Sequence, residues 1–281
     1  MAIKTTKTAL VTGCSEGGLG FAIAKEFQAR GVHVFATARS PSKVAALAGL
    51  PNITVLALDV TSEASIQEAY VMPTLDLDIE VAKQMYEVNV WGVVAVIKAF
   101  APLVIEAKGT IANLASISGL VRPPYMGVYA GSKSACEAIS ESLRYELQPF
   151  GVKVLTVIVG AIKTNIFNNR PEYELPQGSL YDPARKEVTA RIAGRDVEGR
   201  LGKPEDFAKS LVGDMMGGVS GTIGRGNMSS FVRFATAVFP RFILVSNLVG
   251  VGKTPWCSVM ENMLTLGRFT LGPPNRKWHW T

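Results

Sequence analysis

The feature that most constrains this chain is its beginning. Residues 8–12 (TALVT) form a short apolar, β-branched run, and it leads straight into Gly13-Cys14-Ser15-Glu16-Gly17-Gly18-Leu19-Gly20. Leu19, Ile23, Ala24 and Phe27 then recur at helical spacing until Gly31. A buried strand, a glycine-rich turn and a helix make the first βα unit of an open parallel sheet. Glycines there let the backbone bend tightly and approach a pyrophosphate, which the helix N-terminus then stabilises. A plain βα turn can carry the same residues, so the turn alone does not decide function.

Further buried-strand patterns follow at residues 32–38 (VHVFATA), 54–58 (TVLAL), 110–115 (TIANLA) and 153–159 (KVLTVIV). Their alternation with helical stretches predicts an α/β, doubly wound parallel sheet of Rossmann type in a single domain. A helix is expected over 129–148, with Ala135, Ile139, Leu143 and Leu147 on its inner stripe. Residues 165–200 are polar and punctuated by prolines, like a lid over a substrate, and Pro204-Glu205-Asp206 opens another helix. We divide the chain into a Rossmann-type body, 1–227, and a basic, apolar C-terminal segment, 228–281.

Charge and composition remove several classes. The net charge is +6, but residues 228–281 carry +5 of it and the body is almost neutral. A nucleic-acid binder would carry a basic stripe on its body, so nucleic acid is not an expected partner. Two histidines, His33 and His279, are too few for a histidine-rich metal site, and a Ser-His-Asp hydrolase built on His33 in a strand is excluded. Cys14, Cys136 and Cys257 are far apart, which argues against zinc or a disulfide framework and for a reducing, cytoplasmic setting. The first residues do not read as a secretory signal.

After the second strand come Thr37-Ala38-Arg39 and then Lys43. A site for NAD places a carboxylate near this point to hold the ribose 2′-hydroxyl. Here the nearby charges are positive, which suits a 2′-phosphate and predicts NADP(H). Asp59, closing the third strand, could accept from an adenine amino group or serve as a loop cap.

Tyr129 and Lys133 stand four residues apart, on one face of the expected helix. A phenol titrates near pH 10 and is a poor acid–base group at neutral pH. An ammonium one turn away stabilises the phenolate and brings proton transfer into range. Ser116 precedes Tyr129 by 13 residues, at the carboxyl end of a strand, where open α/β sheets bind ligands.

Through Thr12 to Gly20, Asp59-Val60, Asn89, Ser116, Tyr129 and Lys133, the chain resembles the short-chain dehydrogenase/reductase family. The segments TGCSEGGLG, VFATAR, FGVKVLTV, LPQGSLYDP and FVRFATAVFPRFIL resemble most its fungal NADPH-dependent 1-acyldihydroxyacetone-phosphate reductase group. The likeness covers residues 8–244. It implies Tyr129 as proton donor to a ketone or other carbonyl, and Lys133 as pKa modifier and ribose ligand. It implies Ser116 orienting the carbonyl oxygen and Asn89 anchoring a proton-relay water. Cofactor contacts are implied for Gly13, Ser15, Gly18, Leu19, Gly20, Thr37, Arg39, Lys43, Asp59 and Val60. Asn89, Tyr129 and Lys133 join that set, with Ile162 and Thr164 at the nicotinamide. Where the family usually reads Pro-Gly the chain has Val159-Gly160, and a small loss of rigidity is expected there.

One family element is missing. An Asn-Asn-Ala-Gly strand end normally lies between Asp59 and Asn89, and it is absent. Residues 62–70 can form one short helix and the next helix begins near Ile79, so too little chain remains for a strand of about 5–6 residues with its loops. Residues 71–78 (VMPTLDLD) carry a proline and two aspartates, unsuited to a doubly covered strand. Either the neighbouring strands close the gap and leave a damaged cleft, or the chain derives from a transcript or gene reading that lacks an internal segment. The second is favoured by the intact mutual spacing of Asn89, Ser116, Tyr129 and Lys133. A cleft-defective, non-catalytic binding or scaffold protein stands as the alternative function.

Residues 228–251 are apolar, with Phe231, Phe234, Phe239 and Phe242, but Arg233, Arg241 and Pro240 interrupt them. An arginine at mid-bilayer costs roughly 2.5–3.5 kcal/mol, so a span is not expected. Two expectations stay open: peripheral contact of 228–252 with an endoplasmic-reticulum or lipid-droplet surface, and a helix over the substrate pocket or a homo-oligomer interface. Gly250-Val251-Gly252-Lys253-Thr254 imitates a phosphate loop, but position 247 is Asn and no strand–helix context surrounds it.

Overall fold

Three parallel strands at the start of the chain form one sheet: β1 (Thr8–Val11), β2 (His33–Ala38) and β3 (Ile53–Ala57), in the order β1-β2-β3. Thr8 lies opposite His33 and Val34 opposite Ile53. A second parallel sheet has the order β4-β5-β6, from Thr110–Ser116, Lys153–Val159 and Gly221–Arg225. Ser116 ends β4 opposite Val159 of β5. The computed structural model describes residues 7–59, 71–165, 175–192 and 199–238. The Rossmann-type α/β architecture expected from the sequence is observed, with each expected strand within a residue or so of its place.

Helix α1 (Leu19–Ala29) follows the glycine-rich turn, and α7 (Pro204–Met216), the seventh helix in chain order, packs beside it. Ala24 and Phe27 of α1 and Phe207, Leu211 and Val212 of α7 meet Val11, Val34 and Ala36 of the first sheet in one core. The same core takes Leu155 and Val157 of the second sheet, with Ala112 and Leu114 packed against it. Full burial of a Val or Leu contributes about 1.5–3 kcal/mol, so residues such as Val34, Leu155, Val157 and Leu211 hold the two sheets on one core.

Yet no ladder joins β1 to β4 among the described residues. Residues 71–78 contain no strand, and the expected helix over 62–70 lies outside the described residues. The closing of the gap by direct pairing of its neighbours, one of the two expected outcomes, is not observed. Asp78 caps the next helix, α2 (Ile79–Tyr86), by accepting from the Glu80 N–H at 2.7 Å. A π-turn (Glu87–Gly92) carries this helix into α3 (Val93–Glu106). None of the residues of α3 is buried, although it reads VVAVIKAFAPLVIE. A helix this apolar is built to cover a strand, and none is described between β1 and β4.

One expectation needs correction, and one strand is new. The long helix α5 (Gly127–Leu147), preceded by the short α4 (Ile117–Val121), buries Ala130, Ser132, Cys136, Ser140 and Leu147. The expected inner stripe of Ala135, Ile139 and Leu143 is half-buried instead. Small polar side chains can face the sheet because their hydroxyls are bonded: Asn113 on β4 donates to Ser140 at 2.9 Å, and Ser140 donates to the Cys136 carbonyl at 2.7 Å. Strand β6, rich in glycine, was not expected from the sequence.

Candidate active site

The glycine-rich turn lies between β1 and α1 with its backbone tied to the end of β2. Gly13 and Gly17 take φ of +67° and +75°, conformations that favour glycine. The Cys14 N–H donates to the Thr37 carbonyl and the Glu16 N–H to the Lys43 carbonyl, both at 2.9 Å. Ser15 accepts from the Gly18 N–H at 3.0 Å. A Cβ on Gly20 would run into the Gly13 carbonyl oxygen, so glycine is required for α1 to start this close to the turn. Gly18 is the N-cap and offers no capping side chain; Leu19 begins the helix. The N–H groups in the first turn of α1 are thus left without a side-chain cap.

Thr37 is buried at the end of β2, Arg39 follows it half-exposed, and Lys43 is exposed on a short 3-10 turn (Pro41–Val44). The Glu16–Lys43 bond brings this basic loop against the glycine-rich turn. Asp59 lies exposed two residues beyond β3, and Val60 lies outside the described residues. Cys14 is buried beneath the turn, and burial pushes its thiol up to about 11.

Across the core, Ser116 ends β4 and caps α4: its hydroxyl oxygen accepts from the Ser118 N–H at 3.2 Å. The hydroxyl hydrogen of Ser116 stays available to donate. Tyr129 and Lys133 stand one turn apart at the start of α5. The Lys133 ammonium donates to the Leu114 carbonyl at 3.0 Å and lies 5.9 Å from the Tyr129 ring centre. Burial lowers the Lys133 pKa below the ordinary lysine value. Asn89 sits in the π-turn and donates through Nδ2 to Ser132 at 3.1 Å, while Ser132 donates to the Tyr129 carbonyl at 2.8 Å. Wide helical turns of this kind recur at functional sites.

Ile162 is buried and bridged to Gly202, and Thr164 is half-buried. The next residue, Asn165, lies on the glycine-rich turn: its Nδ2 donates to the Glu16 carbonyl at 3.0 Å and its N–H to that of Gly17 at 3.4 Å. The stretch after Val159 is pinned despite the missing proline, with Gly160 donating to the Arg225 carbonyl at 2.8 Å and Ala161 to that of Asn227 at 3.0 Å. Beside Tyr129, Val71, Met126, Leu175, Val188 and Ile192 form an apolar cluster with Tyr125 and Tyr181 packed against it. Part of the expected lid supplies it, including α6 (Arg185–Ile192). Ser179 of the lid donates to Asp76 at 2.6 Å. Sequence reasoning missed Ser132, Tyr125, Tyr181 and Asn165; only Ser132, one helical turn from Tyr129, was within reach of spacing arguments.

A glycine-rich βα turn, with serine, tyrosine and lysine gathered at the carboxyl end of a parallel strand, defines a Rossmann-type oxidoreductase. A family model for short chain dehydrogenases matches residues 7–72 and 70–174. The short-chain dehydrogenase PC-15 of Penicillium crustosum is 39% identical over 265 residues, covering 86% of this chain and 97% of the relative. The chain therefore belongs to the short-chain dehydrogenase/reductase family, whose members bind NAD(P)H. The NADPH-dependent 1-acyldihydroxyacetone phosphate reductase of Schizosaccharomyces pombe is 35% identical over 243 residues, covering 76% of this chain and 80% of the relative. Likeness to that group is thus exceeded by the Penicillium protein, which corrects the expectation from sequence segments. A short-chain dehydrogenase from Streptomyces avermitilis has the same fold, with a TM-score of 0.69 at 23% identity over 95% of this chain and 98% of that one.

The comparisons also locate the gap. The family match breaks into two pieces at residues 70–72, inside the stretch from Asp59 to Asn89. The Penicillium alignment of 265 residues takes in 86% of a 281-residue chain, about 242, so some two dozen positions of the relative have no counterpart here.

Proposed function

We propose that the protein is an NADPH-dependent reductase of ketones, with Tyr129 giving the proton to the carbonyl oxygen. One observation carries the reading: Tyr129 and a half-buried Lys133 share the first turns of α5, with the Lys133 ammonium anchored on β4 two residues before Ser116. The cleft residues fit a dinucleotide, because Gly20 lets α1 start close against the glycine-rich turn and the first turn of α1 carries no side-chain cap. Gly13, Ser15, Gly18, Leu19 and Gly20 would hold its pyrophosphate. Thr37, Asp59 and Val60 would hold its adenosine end, and Arg39 and Lys43 a 2′-phosphate. Tyr129, Lys133, Asn89, Ile162 and Thr164 would hold the nicotinamide half. A bound nicotinamide supplies hydride to the carbonyl carbon.

The chain's own groups do the rest. Ser116 donates its free hydroxyl hydrogen to the carbonyl oxygen and fixes its position. Tyr129 transfers its phenolic proton to the same oxygen as charge develops there. The Lys133 ammonium lowers the cost of the phenolate left behind. With its amide nitrogen committed to Ser132, Asn89 would hold a relay water through its remaining polar atoms.

The apolar and tyrosine-lined cluster beside Tyr129 suits a substrate with an acyl chain or ring system. Two substrate classes follow: an acyl-dihydroxyacetone phosphate-like lipid, as in the name of the fission-yeast relative, or a ketone of fungal secondary metabolism. We place the enzyme in the cytoplasm, with peripheral contact through 228–252 at endoplasmic-reticulum or lipid-droplet surfaces. Helix α8 (Ser229–Val238), which starts this segment, exposes Phe231, Phe234 and Val238 on one side. A homo-oligomer is an open partner. The split between β1 and β4 favours a second reading, a relative with a defective cofactor cleft acting as a binding or scaffold protein.

Titration of NADPH and NADH against the protein, followed by cofactor fluorescence, separates the two. Micromolar NADPH binding, weakened about tenfold or more by Arg39→Ala with Lys43→Ala, supports the reductase and its cofactor choice. A folded chain that binds neither cofactor supports the scaffold. Turnover of a long-chain acyl ketone phosphate, against turnover of polycyclic ketones alone, assigns the substrate class.

A further inference from the structure

Two contacts lock the turn carrying Tyr129 onto the helix carrying Asn89. Tyr86 and Asn89 lie three residues apart, at the end of α2 and inside the π-turn. They meet Gly131 and Ser132, two of the three residues that separate Tyr129 from Lys133. The Tyr86 Oη comes within 2.7 Å of the place where a Cβ on residue 131 would stand, so glycine there permits the approach. Asn89 Nδ2 reaches the Ser132 hydroxyl oxygen at 3.1 Å. That hydroxyl spends its one hydrogen on the Tyr129 carbonyl at 2.8 Å. Ser132 is 0% exposed, so water cannot replace either partner.

We infer that Ser132 is a positioning residue for the reduction. Its hydroxyl couples the place of Asn89 in the π-turn to the backbone of Tyr129, and so sets the phenol relative to Ser116. The inference rests on Tyr129 being the proton donor. A blander account exists: buried serines in helices often bond back to a carbonyl one turn earlier merely to satisfy themselves. On that account the bond from Asn89 is incidental and the hydroxyl is dispensable. The inference requires the opposite, because its loss takes away the acceptor of the half-buried Asn89 amide and frees the Tyr129 turn.

The test compares Ser132→Ala, Ser132→Cys and Ser132→Thr in the full chain, by amide hydrogen exchange without cofactor and by steady-state ketone reduction. The expected result for Ser132→Ala is exchange about tenfold faster at residues 129–133. Its kcat should fall about tenfold with KM within about twofold. Ser132→Cys, which fills the volume without a strong hydrogen bond, should share both defects, and Ser132→Thr, which keeps the hydroxyl, should restore most of each. Wild-type exchange and kcat in Ser132→Ala, or in a folded Ser132→Cys, would overturn the inference. The exchange measurement needs no turnover, so its failure is distinguishable from failure of the reductase reading, in which the unaltered protein reduces no ketone.

Discussion

The Lys133 ammonium donates to the Leu114 carbonyl at 3.0 Å, so a cation on helix α5 is anchored to the strand that ends in Ser116. This bond links the two elements that carry the proposed proton donor and its hydroxyl partner. It also holds a charge in a place where burial disfavours it. The cost and the use of that charge can be measured separately.

Removing the phenol tests its use. Tyr129→Phe keeps the ring beside Met126 but has no proton to give. Ketone reduction should fall by about 10²–10⁴-fold. NADPH affinity, read by fluorescence titration, should change little, since most of the proposed cofactor contacts lie elsewhere. Retained turnover would remove Tyr129 from the mechanism.

Removing the ammonium tests its cost. Burial lowers the Lys133 pKa in the folded chain, so the unfolded chain holds this proton over a range where the folded chain has lost it. Stability from this group is complete only above the unfolded value and is lost as pH falls through the folded one. At neutral pH the folded protein therefore bears a penalty. Lys133→Met removes it, offset in part by the lost bond to Leu114, and the melting temperature should rise about 2–4 °C. Turnover should collapse in the same variant. A lower melting temperature would mean that the bond to Leu114 outweighs the cost of burying the charge.

Chemistry that demands fixed spacing was legible in the sequence, and packing that runs against hydrophobic pattern was not. The glycine-rich turn, Ser116, Tyr129 and Lys133 could be placed because a pyrophosphate turn and a tyrosine–lysine pair tolerate few alternatives. The inner face of α5 misled because Ser132, Cys136 and Ser140 face the fold as small, hydrogen-bonded residues while Ile139 stays half-buried. Strand β6 hid because Gly221 and Gly224 occupy two of its residues, and glycine weakens any strand signal. That no strand is described between β3 and α2 agrees with the chain length, since Asp59 and Ile79 stand close together for another strand and its loops.

Cys14 should make the protein sensitive to alkali. Its pKa rises from an ordinary 9.0 to about 11 on folding, mainly through burial, with the bond to Thr37 pulling the other way. The folded chain thus keeps a proton that the unfolded chain sheds above pH 9. Stability from this thiol is whole below pH 9 and is lost as pH rises through 11, about 2–3 kcal/mol in all. Urea unfolding at pH 8 and pH 10.5 should reveal part of that loss, and Cys14→Ala should flatten it. Iodoacetamide at pH 8 should spare Cys14 until the chain unfolds. Rapid labelling of the folded protein would contradict its burial.

The open edges of β1 and β4 make the final prediction, concerning what the chain lacks. A central parallel strand is paired on both edges and covered on both faces. Its absence among the described residues goes together with the two separate sheets, the family match broken at residues 70–72, and a helix α3 with no buried residue. Inserting at residues 70–72, where the family match breaks, about two dozen residues from the corresponding stretch of the Penicillium crustosum relative should restore that strand. The chimera should melt about 10 °C higher, since a strand and the face of α3 become buried at once. Amides of β1 and β4 should become protected from exchange, and NADPH should bind about tenfold or more tightly, because the strand end would floor the cleft. If the chimera kept the melting temperature, exchange and affinity of the present chain, the two sheets would be its complete fold, and the split cleft a property of the protein rather than a missing part.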